Sequence, residues 1–221
     1  MTIHLPTLSD AAVPLVAPVT VVDERGRERE IFIPGERPLT VYVDKQELVT
    51  LMTLGGAPEA LVLGYLKNQR FVQALDEVVS IQVDWEVSAA SVVTRNGIKA
   101  LKERQEKRTV TTGCGQGTIF GDILTDLESI ALNPGARLDQ PTLVAVVDRV
   151  RQHHSVYKQA GSVHGCALFR GAEMLMFIED VGRHNAVDAI AGRMWLEGLL
   201  GDDLIFYTTG RLTSEMVIKG A

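Results

Sequence analysis

The chain has 221 residues, 46% of them hydrophobic, enough to bury a substantial core without disulfides or a structural metal. Its formal charge of -6 creates a field that does not attract polyanions, which argues against a nucleic-acid binder. A small anionic ligand answers to the local field and stays allowed.

The first twenty residues read as a loose lead-in broken by Pro6, Pro14 and Pro18. They lack a basic n-region, and no run of about 18 apolar residues occurs anywhere, so a soluble, cytoplasmic protein without a membrane partner is expected. VTVVDERGRERE and IFIPGERPLTVYVD read as short strands around a turn, ending near Asp44. After Gly55 and Gly56 the spacing of Ala60, Leu61, Leu63 and Leu66 predicts a helix, with Pro58 suited to its first turn. Val79, Ile81, Val83 and Trp85 alternate, so VVSIQVDWEVSAASVVTR reads as a strand pair. The basic stretch from Lys99 to Arg108 reads as a solvated linker or strand edge.

Beyond it the composition changes. TGCGQGTIFGD is loop-like, DILTDLESIA helical, and Pro134 and Gly135 punctuate a turn. Residues 141–157 predict one amphipathic helix through Leu143, Val146, Val147 and Val150. CALFRGAEMLMFIED gives two strands about Gly171, the second ending at Asp180. RHNAVDAIAGRMWLEGLL is a helix, DLIFYTTGR a strand, and SEMVIKGA opens another helix. The order suits an α/β sandwich, with residues 1–108 a β-rich portion with one helix and 109–221 the sandwich domain.

Four places carry candidate chemistry. Cys114 stands between Gly113 and Gly115 in a loop before a predicted helix, where a thiolate is favoured and accessible, although the glycines also suit a plain tight turn. Cys166 lies in the apolar run VHGCALF; a core cysteine is the simpler reading and a resolving partner for Cys114 the sharper one. The two form no zinc motif, and no metal site is expected. Free thiols are expected, with a single disulfide left open.

The other two places are strand-to-helix junctions, where ligands collect in α/β folds. In DVGRHNAVD, Gly182 permits close backbone approach, Arg183 offers a guanidinium fork, His184 can titrate, and Asn185 can read a base edge or cap the helix. The bland alternative pairs Arg183 with Asp180 or Asp188. In TTGRLTSE, Thr209, Gly210, Arg211 and Ser214 suit a nucleotide phosphate, without a Walker A or Rossmann pattern.

Taken together, DVGRHNAVD, TTGRLTSEMVIKGA, GSVHGCALF and TGCGQG resemble the FdhD/NarQ family, the formate dehydrogenase accessory sulfurtransferases, and LGGAPEALVLGYLKNQRFV resembles an upstream family region. The resemblance implies a cytidine-deaminase-like three-layer α/β/α sandwich with a smaller N-terminal β-containing portion, and a homodimer. It implies a sulfur carrier that takes persulfide sulfur from a cysteine desulfurase and passes it to the molybdenum bis-guanine-dinucleotide cofactor for a formate dehydrogenase. That cofactor is a bound client rather than a permanent group. Cys114 becomes the carrier, with the two Gly-Arg junctions holding the guanine and phosphate parts. The alternative is a non-catalytic chaperone for the same cofactor.

Two departures bear on this. Many members carry Cys-x-x-Cys where this chain has Cys114 and Gly117, and the glycine-threonine approach to the histidine reads Gly161-Ser162-Val163-His164 here. The family continues past Lys219 through a further strand and helix. Deaminase chemistry is not expected, since the zinc cysteine pair and the His-Ala-Glu set are missing.

Overall fold

The computed structural model describes residues 4–98 and 133–221. The basic stretch Lys99–Arg108, the expected boundary at 108/109, the Cys114 loop and the helix read over 122–131 lie outside them.

Five strands form the first sheet: β1 (Thr7–Leu8), β4 (Arg37–Val43), β5 (Gln46–Thr53), β6 (Val78–Asp84) and β7 (Ala89–Thr94), in the order β1-β6-β7-β4-β5. Between β1 and β4 in sequence, β2 (Val16–Val22) and β3 (Glu28–Pro34) make a separate antiparallel ribbon. A tight turn with Asp44 and Lys45 at positive φ joins β4 to β5. LVTLMT, expected as the approach to the helix, is most of strand β5. Burial alternates there as in a strand: Val49, Leu51 and Thr53 are buried, and Thr50 and Met52 between them are exposed. In β6 a register shift between Val78 and Ser80 buries Val78 and turns Val79 outward, against the expected alternation.

Helix α1 (Pro58–Asn68) begins with proline in its first turn, as expected. Its Leu61, Val62, Leu63 and Leu66 share one core with Leu39, Val41, Leu51, Ile81 and Val92 of the sheet. Such burial supplies on the order of 2 kcal/mol per large side chain.

The amphipathic segment after Pro134 is two helices, α2 (Gln140–Gln152) and α3 (Val156–Ala160), rather than one over 141–157. Asp139 caps the first through Thr142 N, and Ser155 caps the second through Lys158 N; a hydroxyl at Ser155 that serves as a cap ends the continuous helix. Strands β8 (His164–Arg170), β9 (Glu173–Asp180) and β10 (Ile205–Thr208) form the second sheet in the order β10-β8-β9, both pairs antiparallel. Helices α4 (Arg183–Glu197) and α5 (Ser214–Gly220) cover one face, where Ala186, Val187, Ile190 and Met216 meet Cys166. Val146 of α2 meets Ala167 and Phe169 on the other face. The second sheet thus sits in an α/β/α arrangement.

Helices α1 and α4 cross at backbone contact. A Cβ on Gly64 would stand 1.7 Å from the Asp188 carbonyl oxygen, and one on Gly192 would stand 1.9 Å from that of Ala60. Only glycine fits either place, and the crossing joins the two sheets through one helix pair.

Candidate functional site

Strands β9 and β10 both run antiparallel to β8, so they run parallel to each other and end on the same edge of the sheet. The two Gly-Arg junctions therefore meet there, with the start of β8 between them. Thr209 N–H donates to the Gly165 carbonyl at 2.9 Å, and Gly165 N–H donates to Thr209 Oγ1 at 3.0 Å.

Asp180, at the end of β9, is buried and ties this edge to the first sheet. It accepts from Thr53 Oγ1 at 2.5 Å, Asn185 Nδ2 at 3.0 Å, Leu54 N at 3.3 Å and Gly182 N at 3.4 Å. Burial pushes its carboxyl above the ordinary range, against the pull of those hydrogen bonds. Asn185 is also committed: its amide donates to the Met52 carbonyl at 2.7 Å as well as to Asp180. Both Asn185 N–H donors are thus spent on the scaffold, and Gly182, the N-cap residue of α4, has no side-chain cap bond.

Arg183 is treated differently. It is 9% exposed, and among the described residues its Nε has no partner and no carboxylate lies within salt-bridge reach of it. The nearby acids are occupied. Asp188 accepts from Asn68 Nδ2 at 2.6 Å and pairs with Lys219 Nζ at 2.8 Å, while Glu215 lies 3.4 Å from Lys219 and 3.3 Å from His184 Nε2. The bracing of Arg183 by Asp180 or Asp188 is therefore not what the geometry shows. Its stem runs across the second junction: a Cβ on Gly210 would stand 2.8 Å from Arg183 Cδ and 2.9 Å from its Cβ. A buried cation without a counter-charge is expensive. Around it, α4 leaves the first-turn N–H groups of Arg183, His184 and Asn185 without intrahelical acceptors.

His184 has a 12% exposed side chain, and burial lowers its pKa to about 4 despite the neighbouring Glu215. The ring lies at ion-pair distance from Glu215 yet off hydrogen-bond geometry, so neither ring nitrogen is satisfied among the described residues. Thr213 Oγ1, in the same TTGRLTSE segment though not singled out from the sequence, is also buried and unsatisfied there. Thr209, Arg211 and Ser214 are exposed around the rim, and Gly182 has room beside it. The expected site residues thus converge on one edge, except for inward-turned Asn185 and for Cys114, which lies outside the described residues.

Cys166 belongs to the core. It is 0% exposed, its Sγ contacts Thr208 Oγ1 at 3.4 Å, and burial pushes its thiol up to about 12. Elsewhere, a cleft of about 570 Å³ is lined by His153, Lys158, Phe177 and Glu179, among others. Its polar groups serve the fold: Glu179 accepts from Val156 N and Tyr157 N, and Lys158 donates to the carbonyls of Arg151 and His153. No helix among the described residues is long and apolar enough to cross a membrane, and they hold no group of three acidic, His or Cys side chains able to take a metal.

The pattern described as the FdhD/NarQ family matches residues 34–221, which includes both junctions and the start of β8. The chain belongs to the FdhD/NarQ family. It is 30% identical over 198 residues to the sulfur carrier protein FdhD of Listeria innocua, across 88% of this chain and 76% of that protein. It is 32% identical over 195 residues to the sulfur carrier protein FdhD of Sulfurisphaera tokodaii, across 86% and 73% respectively. The fold is similar to the crystal structure of a protein assigned as a formate dehydrogenase accessory protein from Desulfotalea psychrophila, with TM-score 0.69 and 25% identity over 94% of this chain and 80% of that one. This FdhD/NarQ membership agrees with the family resemblance of the motifs and with the mixed α/β fold.

Proposed function

We propose that this FdhD/NarQ member is a sulfur carrier for a formate dehydrogenase. It takes persulfide sulfur from a cysteine desulfurase onto Cys114 and passes it to a molybdenum bis-guanine-dinucleotide cofactor held at the paired Gly-Arg junctions. The observation that supports the cargo site most is Arg183, a buried guanidinium with no carboxylate beside it among the described residues, laid over Gly210. A phosphate oxygen is the counter-charge such a group lacks, and a guanidinium can grip it with two parallel hydrogen bonds. His184, Thr209, Gly210, Arg211 and Ser214 complete the cradle, and the open N–H groups of α4 favour the same charge.

Cys114 is selected by elimination. The chain has two cysteines, and Cys166 is sealed in the core with its thiol held protonated. In the loading step the Cys114 thiolate attacks the outer sulfur of the donor persulfide. A new S–S bond forms, the donor's S–S bond breaks, and the donor's inner sulfur leaves as thiolate. One thiol suffices, so Gly117 at the second family position is no obstacle. Release as sulfide consumes two electrons, which a thiol reductant supplies. The desulfurase, a formate dehydrogenase catalytic subunit and a second copy of this chain are the proposed partners.

Titration calorimetry tests the cargo site. GDP is expected to bind more tightly than guanosine, and Arg183→Ala to weaken GDP by about 2 kcal/mol while leaving guanosine nearly unchanged. Equal affinity for GDP in the two proteins would remove the junctions from the function.

A further inference from the structure

The two Gly-Arg junctions come from strands that are not neighbours, and the strand between them starts where they end. Its first residue is His164, whose register partner is Asp180. Side chains alternate along a strand, so His164 lies on the same face as Cys166, two residues on. That face is fixed by the packing of Cys166 against Ala186, Val187 and Met216 of α4 and α5. Gly165 points the opposite way, where a Cβ would stand 2.7 Å from the Phe177 ring. His164 therefore lies on the side of the sheet where α4 begins with Arg183 and His184. It is half-buried, at the lip of a cradle whose floor is the more deeply buried His184.

We propose that His164 is a third basic member of the cradle and takes up a proton when a phosphate-bearing ligand binds there. The inference rests on the cargo site of the proposed function and adds to it a residue and a linkage to pH. Without ligand, burial and then the Arg183 charge hold the His164 ring below the usual histidine range, and His164 in turn disfavours charge on His184. Among the described residues, Arg183 on α4 acts on both rings, and Glu215 and Lys219 on α5 act on His184. Asp180 on β9 is turned to Thr53 and Asn185. At His164 the charge that acts is Arg183, while Glu215 is engaged with His184 and Lys219. An arriving phosphate offsets the Arg183 charge, and of the two neutral rings the more exposed one, His164, is the one that can take the proton.

The test is calorimetry of pyrophosphate and GDP binding to the full chain in buffers of different ionisation enthalpy, at about pH 6 and about pH 8. Wild type is compared with His164→Gln, so that protonation of the ligand itself cancels. The wild-type protein is expected to take up more protons than the variant, and to bind roughly fivefold more tightly at the lower pH but nearly equally at the higher. Proton NMR of the wild-type histidine rings gives a second reading independent of the variant's folding: the His164 signal should titrate at higher pH when pyrophosphate is saturating. Equal proton uptake in both proteins, or an unmoved His164 titration with pyrophosphate bound, would overturn the inference and leave the cargo site standing. Failure of wild type to bind either probe would overturn both.

Discussion

Gly210 lies directly against the Arg183 side chain, with space for a hydrogen and none for a methyl group. The second junction thereby fixes the course of an arginine contributed by the first. Gly210→Ala should push Arg183 aside and weaken GDP binding about tenfold, or about 1.4 kcal/mol. If Gly210 acts only through Arg183, adding Gly210→Ala to Arg183→Ala should cost nothing more. Additive losses in calorimetry would mean that Gly210 contacts the ligand independently.

A cation kept for a ligand should not stabilise the empty protein. Arg183→Met keeps the apolar stem over Gly210 and removes a buried Nε that has no partner among the described residues. Its unfolding free energy in urea is expected to equal or exceed that of wild type by up to about 1 kcal/mol, while GDP affinity falls. A loss of more than about 1 kcal/mol would make Arg183 a brace.

Asp180 should show the opposite pattern. Its removal in Asp180→Ala leaves the Thr53 hydroxyl, the Leu54 N–H and one Asn185 N–H without their acceptor inside the protein. Urea unfolding should report a loss of about 3 kcal/mol, with the link between the sheets weakened. A change under about 1 kcal/mol would mean that this carboxylate is dispensable to the fold.

His184 gives a pH signature of known sign. Its folded pKa of about 4 lies below the unfolded value, so the unfolded chain binds the extra proton. The stability it confers is fully present above about pH 6.5 and is lost as pH falls toward about 4. Thermal melts over that range should fall more steeply for wild type than for His184→Gln. Parallel curves would show that the ring takes its proton without cost in the folded state.

Much of this site is legible in the sequence because its parts are contiguous. DVGRHNAVD and TTGRLTSE each span a strand end and a helix start, and local spacing announces such junctions. Their meeting follows from two strands running the same way, even though the intervening β8 runs opposite. Asn185 suits a ligand contact by type and position, and the structure adds that its two N–H donors are spent on Met52 and Asp180. The Met52 partner comes from β5, far away in sequence, and no local pattern marks it. Lys219 is likewise hidden, since its pairing with Asp188 depends on how α5 lies beside α4. The alternation in β5 is hidden as well, because exposed Met52 and buried Thr53 reverse the order that their polarity suggests.

The central claim is that sulfur travels on Cys114. Incubation with a cysteine desulfurase and cysteine, followed by intact and peptide mass measurement, tests it most directly. One extra sulfur atom, removable by reductant, is expected on the Cys114 peptide and on Cys166→Ala protein, but not on folded Cys114→Ala protein. Full loading of Cys114→Ala, or an unmodified wild-type chain that still binds GDP, would contradict the claim; the latter would leave a cofactor chaperone.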